Sequence, residues 1–383
     1  MPVEKIKPVN KHISVCHVTT AHARTSSRIF DKFCKSAETD GYNVTYLVAD
    51  GGQNETVDNV NIIALPKAKN RLFRFFVTPF LMVRTARALE ADIYQLHDPE
   101  LLLSALFFRK KKNIVLFDFH EDYPLQLLNR DYLKFGVKKI AAWLVKNIQF
   151  FISKRLDGVI TATSTIGQKF VNRGIKTQVI RNLPKSEFFD REYVDWAQRE
   201  NWIVHVGTLT KDRGIEELVD ALPLMKQKAR LKLCGVFSDP QFLAHLKTKD
   251  GWQHVDYLGF LDRGSVAEIV SHSKAGLVTL HPARNYMEAL PIKLFEYMSL
   301  GTPVISSDFP IWAEIVNNAG CGLLVNPQNP QEIALAADEL LTNNKQADLF
   351  GKSGRKAVIS QLNWNAEKDK ASQFYLKVLA DKR

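Results

Sequence analysis

The strongest constraint on this chain is a rhythm that runs along it twice: short β-branched runs alternating with longer stretches of helical periodicity. In the first half the runs are Ile13 to Thr19, Val44 to Val48, Ile62 to Leu65, Ile93 to Leu96, Ile114 to Phe117, Gly158 to Thr161 and Thr177 to Ile180. Strands separated by helix-length segments specify a parallel sheet wrapped by helices, because parallel neighbours need a long crossover. After Asn182-Leu183-Pro184 the pattern restarts. Strands are predicted at Ile203 to Val206, Leu231 to Leu233, Val255 to Leu258, Gly276 to Leu280, Pro303 to Ser306 and Gly322 to Val325. Helices are predicted at Gly214 to Lys226, Val266 to Ser271, Lys293 to Ser299 and Pro330 to Thr342.

The fold class is therefore α/β with two Rossmann-like domains. Residues 1–182 form the first and residues 183–364 the second, while an amphipathic end, 365–383, is expected to pack back on the first. A chain of 383 residues that is 45% apolar exceeds what one hydrophobic core usually supports, in keeping with this division. Ligands of open α/β sheets bind outside the carboxyl ends of the strands, so the expected active site is a crevice between the two domains.

Several classes are disfavoured. Cys16, Cys34, Cys234 and Cys321 lie far apart, with no C-x-x-C pair, and read as reduced structural thiols. Met1 to Lys11 is polar and lacks the apolar stretch of a secretory signal. A spanning helix needs about 18 apolar residues in a row. Leu72 to Val83 is broken by Arg74, and Ile140 to Ile152 by Lys146.

The densest cluster of candidate chemistry runs from Asn285 through Glu288, Leu290-Pro291-Ile292-Lys293 and Glu296 to Gly301-Thr302-Pro303. A helix predicted to begin near Pro291 offers unpaired N–H groups and a positive dipole end to a diphosphate, and Lys293 adds a full charge. A second cluster, Val204-His205-Val206-Gly207-Thr208-Leu209-Thr210-Lys211-Asp212-Arg213-Gly214, is a strand ending in glycine followed by a cationic loop. Glycine lets a phosphate approach the backbone, and the cations neutralise it.

The spacing from Glu288 to Glu296, followed by Gly301-Thr302-Pro303-Val304-Ile305, resembles the E-x7-E donor motif of the retaining GT-B glycosyltransferases of family 4, bacterial surface-polysaccharide type. The resemblance implies a GT-B fold and a nucleoside diphosphate sugar donor. It assigns Glu288 and the adjacent loop to the donor sugar and Glu296 to the ribose hydroxyls. Gly207 and its loop resemble that family's phosphate loop, although Thr208 stands where an arginine is common and Arg213 where a lysine is common. Arg213 and Lys293 are thus expected to share the diphosphate, with Thr208 and Lys211 as further contacts. Gly235 and Phe260 fall at strand ends that flank the nucleotide base. His120 matches a histidine beside the donor sugar.

The clusters Gln95-Leu96-His97-Asp98-Pro99-Glu100 and Phe117-Asp118-Phe119-His120-Glu121 end apolar strands with titratable residues. His97 and Asp98 are expected to touch the acceptor. The loop Thr19 to Phe30 carries no glycine-rich dinucleotide signature, and its Arg24 and Arg28 are expected to hold an acceptor phosphate.

Up to Asn182 there are 28 basic and 16 acidic residues against totals of 52 and 41, so the whole surplus of +11 belongs to the first half. Basic residues cluster at Lys67 to Arg87, Arg109 to Lys112 and Arg130 to Arg155, interleaved with aromatics. On a helical wheel, most basic residues from 134 to 146 fall on one arc. Ile140, Trp143, Leu144, Ile148 and Phe151 fall on another, as in a helix lying on an anionic membrane. No nucleic-acid module accompanies the charge.

The expected function is transfer of a hexosyl or N-acetylhexosaminyl group, from a UDP-sugar rather than a GDP-sugar, to a lipid-linked or growing polysaccharide. It would take place at the cytoplasmic face of the membrane and, by resemblance, with retention. Neither a metal nor a cofactor is expected. The rival reading is a non-catalytic nucleotide-sugar-binding subunit of a partner transferase.

Overall fold

The computed structural model describes residues 13–128, 135–185 and 191–382. The polar start, Met1 to Lys11, lies outside them, as do Arg130 and Lys134 of the basic cluster. The chain divides into two compact units, Met1–Asn182 with Glu367–Arg383, and Leu183–Ala366.

The first unit is built on an eight-stranded sheet among the described residues, in the order β3-β4-β2-β1-β5-β6-β7-β8. Its strands are β1 Ser14–Thr19, β2 Asn43–Val48, β3 Glu55–Val57, β4 Val60–Ala64, β5 Ile93–Leu96, β6 Ile114–Phe119, β7 Gly158–Thr161 and β8 Thr177–Val179. Neighbours pair in parallel except β3 with β4. The run Ile62 to Leu65 predicts β4, whereas β3 has no counterpart among the predicted strands. Their hairpin turns at Asp58 and Asn59, both at positive φ (48° and 60°), the backbone that a two-residue hairpin requires.

Every residue of β5 and β6 is buried, as expected of central strands covered on both faces. The chain starts at β1 and winds outward to either side, so β1 and β5 flank the point where the winding reverses. Helix α1 is Arg71–Phe76, α2 is Thr78–Leu89 and α3 is Phe135–Ser153. In α3, Ala142, Phe150 and Ile152 are buried, and Val145 and Ile148 pack on the core. Ile140, Trp143, Leu144 and Phe151 face outward, with Trp143 62% exposed. The apolar arc seen on the helical wheel is therefore mostly turned away from the sheet.

The second unit holds a parallel sheet in the order β11-β10-β9-β12-β13-β14, from β9 Glu200–Val206, β10 Arg230–Cys234, β11 Val255–Gly259, β12 Ser273–Val278, β13 Val304–Ser307 and β14 Gly322–Val325. Here the winding reverses between β9 and β12. Helix α4, Ile215–Ala221, is shorter than the sequence suggests. Pro223 has no N–H to continue the ladder, and a separate tight turn, Leu222–Leu224, follows. The unit also contains α5 Arg284–Met287, α6 Ile292–Ser299, α7 Pro310–Ala319 and α8 Asn344–Ser360.

The last helix, α9 Trp364–Ala380, carries the chain back to the first unit. Glu367 accepts from the Arg181 backbone N–H (2.9 Å) and from Arg181 Nε (2.8 Å). The buried Tyr375 hydroxyl bonds Gln95 of β5.

Candidate active site

In the second unit, the residues singled out in the sequence gather at the carboxyl ends of β9 to β12. Gly207 follows β9 at φ +145°, and Gly235 follows β10 at φ +153°. A Cβ on Gly235 would stand 1.7 Å from the Gly207 carbonyl oxygen, so these strand ends meet as bare backbone. A Cβ on Gly207 would lie 3.3 Å from Arg213 Nη1, which places that guanidinium over the strand end.

The cationic loop is tied to the segment after β12: the His281 N–H donates to Asp212 O (2.9 Å) and the Tyr286 hydroxyl bonds Asp212. His205, buried in β9, has its pKa pushed down to about 3 by burial, with Arg213 and Lys293 adding to the depression. Both cations therefore act on one strand end. Thr208 and Lys211 are exposed beside them.

Glu288 closes α5 and lies 3.3 Å from Arg284 Nε. The Trp312 indole N–H holds the next turn through the Ala289 carbonyl (2.8 Å). Leu290, Pro291 and Ile292, all partly buried, lead into α6, whose start no side chain caps. One turn in, Lys293 Nζ meets Glu296 Oε2 at 2.5 Å. The helix is pinned to the sheet by Tyr297, whose hydroxyl accepts from the Val206 N–H at 2.9 Å. Phe260, just past β11, is 82% exposed.

In the first unit the ends of three adjacent strands, β1, β5 and β6, bring together His22, Asp98 and His120. Asp98 is buried and its carboxylate is saturated. Oδ2 accepts from Thr19 Oγ1 (2.5 Å), Thr20 N (2.6 Å) and Ala21 N (3.1 Å), and Oδ1 meets His22 Nδ1 at 2.8 Å. Burial opposes its ionisation, but the bonds from His22, Thr19 and Thr20 outweigh burial and hold the carboxyl well below its usual range.

Beneath lies a second buried array. Arg28 donates to Asp118 from Nε (2.9 Å) and Nη2 (2.7 Å), and His97 Nδ1 lies 3.0 Å from the same carboxylate. His97 Nε2 in turn meets His17 Nδ1 at 3.1 Å. Burial raises the cost of charge on Asp118, yet Arg28 and His97 keep its carboxyl depressed. Burial also drives the pKa of both His17 and His97 down.

The four residues expected on the acceptor side, Arg24, Arg28, His97 and Asp98, each have partners within the protein. Arg28 and His97 are buried, and their polar atoms serve Asp118, a charge inside a central strand that could not stand unpaired. Both are held by that carboxylate. Asp98, 1% exposed, offers its surroundings a histidine instead of its own carboxylate. Arg24 is engaged by Asp50 (2.6 and 2.9 Å), by the Gln53 carbonyl and by Glu55, so its fork of donors is already occupied.

His120 follows β6 with its Nδ1 buried and without a hydrogen-bond partner, and burial lowers its pKa. Its ring meets that of His22 edge-on at 5.3 Å. His22 is not singled out in the sequence analysis. The available signal was the T-T-A-H run directly after a strand, whose partner lies 76 residues away at Asp98.

Residues 186–357 match the family model of glycosyl transferases group 1, a span that contains Gly207 to Glu296. An uncharacterized glycosyltransferase of Methanocaldococcus jannaschii is 30% identical over 169 residues, 43% of this chain and 42% of that protein. A GDP-mannose-dependent alpha-(1-6)-phosphatidylinositol monomannoside mannosyltransferase of Mycobacterium tuberculosis is 24% identical over 212 residues, 54% and 55% of the two chains. The matches thus span about half the length of these curated relatives.

Among solved structures, sucrose-phosphate synthase from Thermosynechococcus elongatus superposes with TM-score 0.73 at 19% identity, covering 96% of this chain and all of that one. Anabaena HepE in complex with UDP and glucose gives 0.69 at 14%, covering 96% of this chain and all of HepE. At these identities the structural likeness shows the fold, which is that of the GT-B glycosyltransferases, and the family-model match lies within residues 186–357.

Proposed function

We propose that this protein is a glycosyltransferase that moves a hexosyl or N-acetylhexosaminyl group from a nucleoside diphosphate sugar to a hydroxyl of a lipid-linked or growing surface polysaccharide. The observation that carries the reading is the convergence of Arg213, Lys293 and the uncapped start of α6 on the bare strand ends at Gly207 and Gly235. Backbone that admits phosphate, with two cations and a helix dipole beside it, suits the departure of a diphosphate. In this reading Arg213 and Lys293 carry the charge of the leaving group in place of a metal. Glu296 releases Lys293 and takes the ribose hydroxyls, and Glu288 with Leu290, Pro291 and Ile292 lines the donor sugar. Thr208 and Lys211 reach the phosphates, and Phe260 flanks the base. A UDP-sugar is the proposed donor, and retention follows from the resemblance to family 4.

From the first unit, His120 is the group proposed to lie beside the donor sugar. That unit also carries the surface proposed to rest on an anionic membrane at its cytoplasmic face. Leu72, Phe76 and Phe80 on α1 and α2, and Ile140, Trp143, Leu144 and Phe151 on α3, are exposed among the cations of the basic half. No helix among the described residues is long and apolar enough to cross a bilayer, so the proposed attachment is peripheral.

The test is release of nucleoside diphosphate by the purified protein across UDP-, GDP-, ADP- and dTDP-sugars, with and without membrane lipid extract as acceptor. Turnover of one donor, lost in Glu288→Ala and Arg213→Ala, is the expected result. No binding and no turnover across the panel would remove the donor assignment. Binding without turnover would make the protein an accessory nucleotide-sugar-binding subunit.

A further inference from the structure

We infer that the first unit carries an anion site of its own, a cationic pocket that takes the phosphate monoester of a free phosphate or of a lipid headgroup. The pocket, about 460 Å³ in volume, is lined by Leu106, Arg109, Lys110, Lys111, Arg155 and Lys382. It lies where Asn113 directly precedes β6 and Asp157 directly precedes β7, at the amino-terminal edge of the sheet. His120 stands at the opposite edge, beyond the carboxyl end of β6, roughly 20 Å away at about 3.3 Å per residue of that strand. Every lining residue belongs to the first unit, so the site is independent of the donor assignment in the second.

Three segments far apart in the chain are fixed around this pocket. Buried Asn113 shapes the turn after Phe108, accepting from the Lys110 N–H (2.7 Å) and donating to the Phe108 carbonyl (2.8 Å). Arg109 donates to the Arg155 carbonyl, just past the end of α3. Arg155 donates to the Phe151 carbonyl (2.7 Å), and its guanidinium lies 3.5 Å from the centre of the Phe151 ring. Lys382, just beyond α9, donates to the Asn113 carbonyl and to Asp157 Oδ1 (2.9 Å). Cations already held in place need little ordering when an anion arrives.

The charge around the pocket does not balance. Among the described residues, two carboxylates lie at ion-pair distance from its five cations. Glu90 is 3.0 Å from Lys110, and Asp157 is 2.9 Å from Lys382 and 3.5 Å from Arg109. Two helix ends add partial negative charge, through the Arg87 carbonyl in the last turn of α2, 3.3 Å from Lys110, and the Arg155 carbonyl. Each helix end counts for about half a charge, which leaves a surplus of about two. A phosphate monoester carries about −1.5 to −2 at neutral pH, whereas a carboxylate or a phosphodiester brings a single charge. Two guanidinium forks also suit phosphate oxygens. Phe107 and Phe151, neighbours of Leu106 and Arg155, are exposed, so apolar surface adjoins the cations, as at a lipid surface.

Two probes test the site on the full chain. Inorganic phosphate is titrated calorimetrically in an Arg213→Gln background, which removes a cation of the proposed donor site. Lys111 and Arg155 are exposed and have no carboxylate at ion-pair distance among the described residues. Lys111→Gln with Arg155→Gln is therefore expected to weaken phosphate binding at least about tenfold and to leave Tm within about 2 °C. Lys67→Gln with Lys69→Gln removes the same charge from exposed positions beyond the carboxyl end of β4. That variant is expected to change binding less than about twofold, because salt screens distant charges. The second probe is sedimentation with phosphatidylcholine vesicles containing phosphatidic acid, a monoester, or phosphatidylserine, a diester, at equal surface charge. A preference for phosphatidic acid that Lys111→Gln with Arg155→Gln abolishes assigns the pocket to a lipid headgroup. Equal binding to both vesicles, with phosphate binding that the same variant abolishes, assigns it to a soluble phosphate. If neither probe responds to Lys111→Gln with Arg155→Gln, or if Lys67→Gln with Lys69→Gln loses as much, the proposal is overturned. A protein that passes this test but turns over no nucleotide sugar loses the transferase reading alone.

Discussion

At the scale of single residues, the site depends on charges whose partners are distant in sequence. Asp118 occupies a fully buried position in β6, where an unpaired carboxylate would be untenable. Replacing Arg28 with methionine keeps the volume and strands the carboxylate. The expected loss is about 3–5 kcal/mol of stability, measured by urea unfolding, and a loss below about 1 kcal/mol would show that Asp118 finds another partner. Gly235 is constrained differently. A methyl group there would run into the Gly207 carbonyl, so Gly235→Ala is expected to lower donor affinity at least tenfold in a titration with nucleoside diphosphate. An unchanged affinity would mean that the strand ends can separate without cost to phosphate binding.

At the scale of elements, α3 separates packing from surface. Its inner side, with Ala142, Phe150 and Ile152, belongs to the core, whereas Ile140, Trp143 and Leu144 contribute nothing to it. Ile140→Ser combined with Trp143→Ser is therefore expected to leave Tm within about 2 °C and to weaken binding to vesicles containing anionic lipid several-fold in a sedimentation assay. A fall in Tm with vesicle binding intact would place the outward arc in the core instead. The sequence yielded the apolar arc but not its direction. Periodicity tells which residues share a face of a helix, whereas the sheet decides which face it covers.

At the scale of the molecule, two features come from tertiary structure. The helix α9 returns to the first unit, where Glu367 and Tyr375 meet Arg181 and Gln95. A chain ending at residue 366 is accordingly expected to lose cooperative unfolding of the first unit, visible in hydrogen exchange as lost protection of β5 and β7. Stability should also depend on pH through the buried histidines. Burial lowers the folded-state pKa of His17, His97 and His120, and that of His205 to about 3. The unfolded chain binds protons at these positions from about pH 6.5 downward while the folded chain does not. Stability is full above that pH and falls as acid is added. His22, raised by Asp98, opposes the trend, one group against four. Tm is expected to be lower at pH 5.5 than at pH 7.5, and an equal or higher Tm would mean that the buried rings are protonated in the native state.

By itself, the sequence determined the doubled α/β architecture and the strands that build it. Alternating apolar runs and crossover lengths leave a parallel sheet few alternatives, and β5, β7 and β14 lie where the runs predicted. It also placed Gly207, Arg213, Glu288, Lys293 and Glu296 in local clusters, since loops at strand ends carry their residues in short contiguous stretches. The hairpin at Asp58 and Asn59 passed unread because three-residue strands give too little alternation to register. What only the tertiary structure decided was which polar residues face outward and which hold others in place. His22 meets Asp98 and Arg28 meets Asp118 across strands that are adjacent in the sheet but far apart in the chain. A sequence displays the charge of each residue, but burial and partners set its protonation and its role, and those exist only once the strands have been brought side by side.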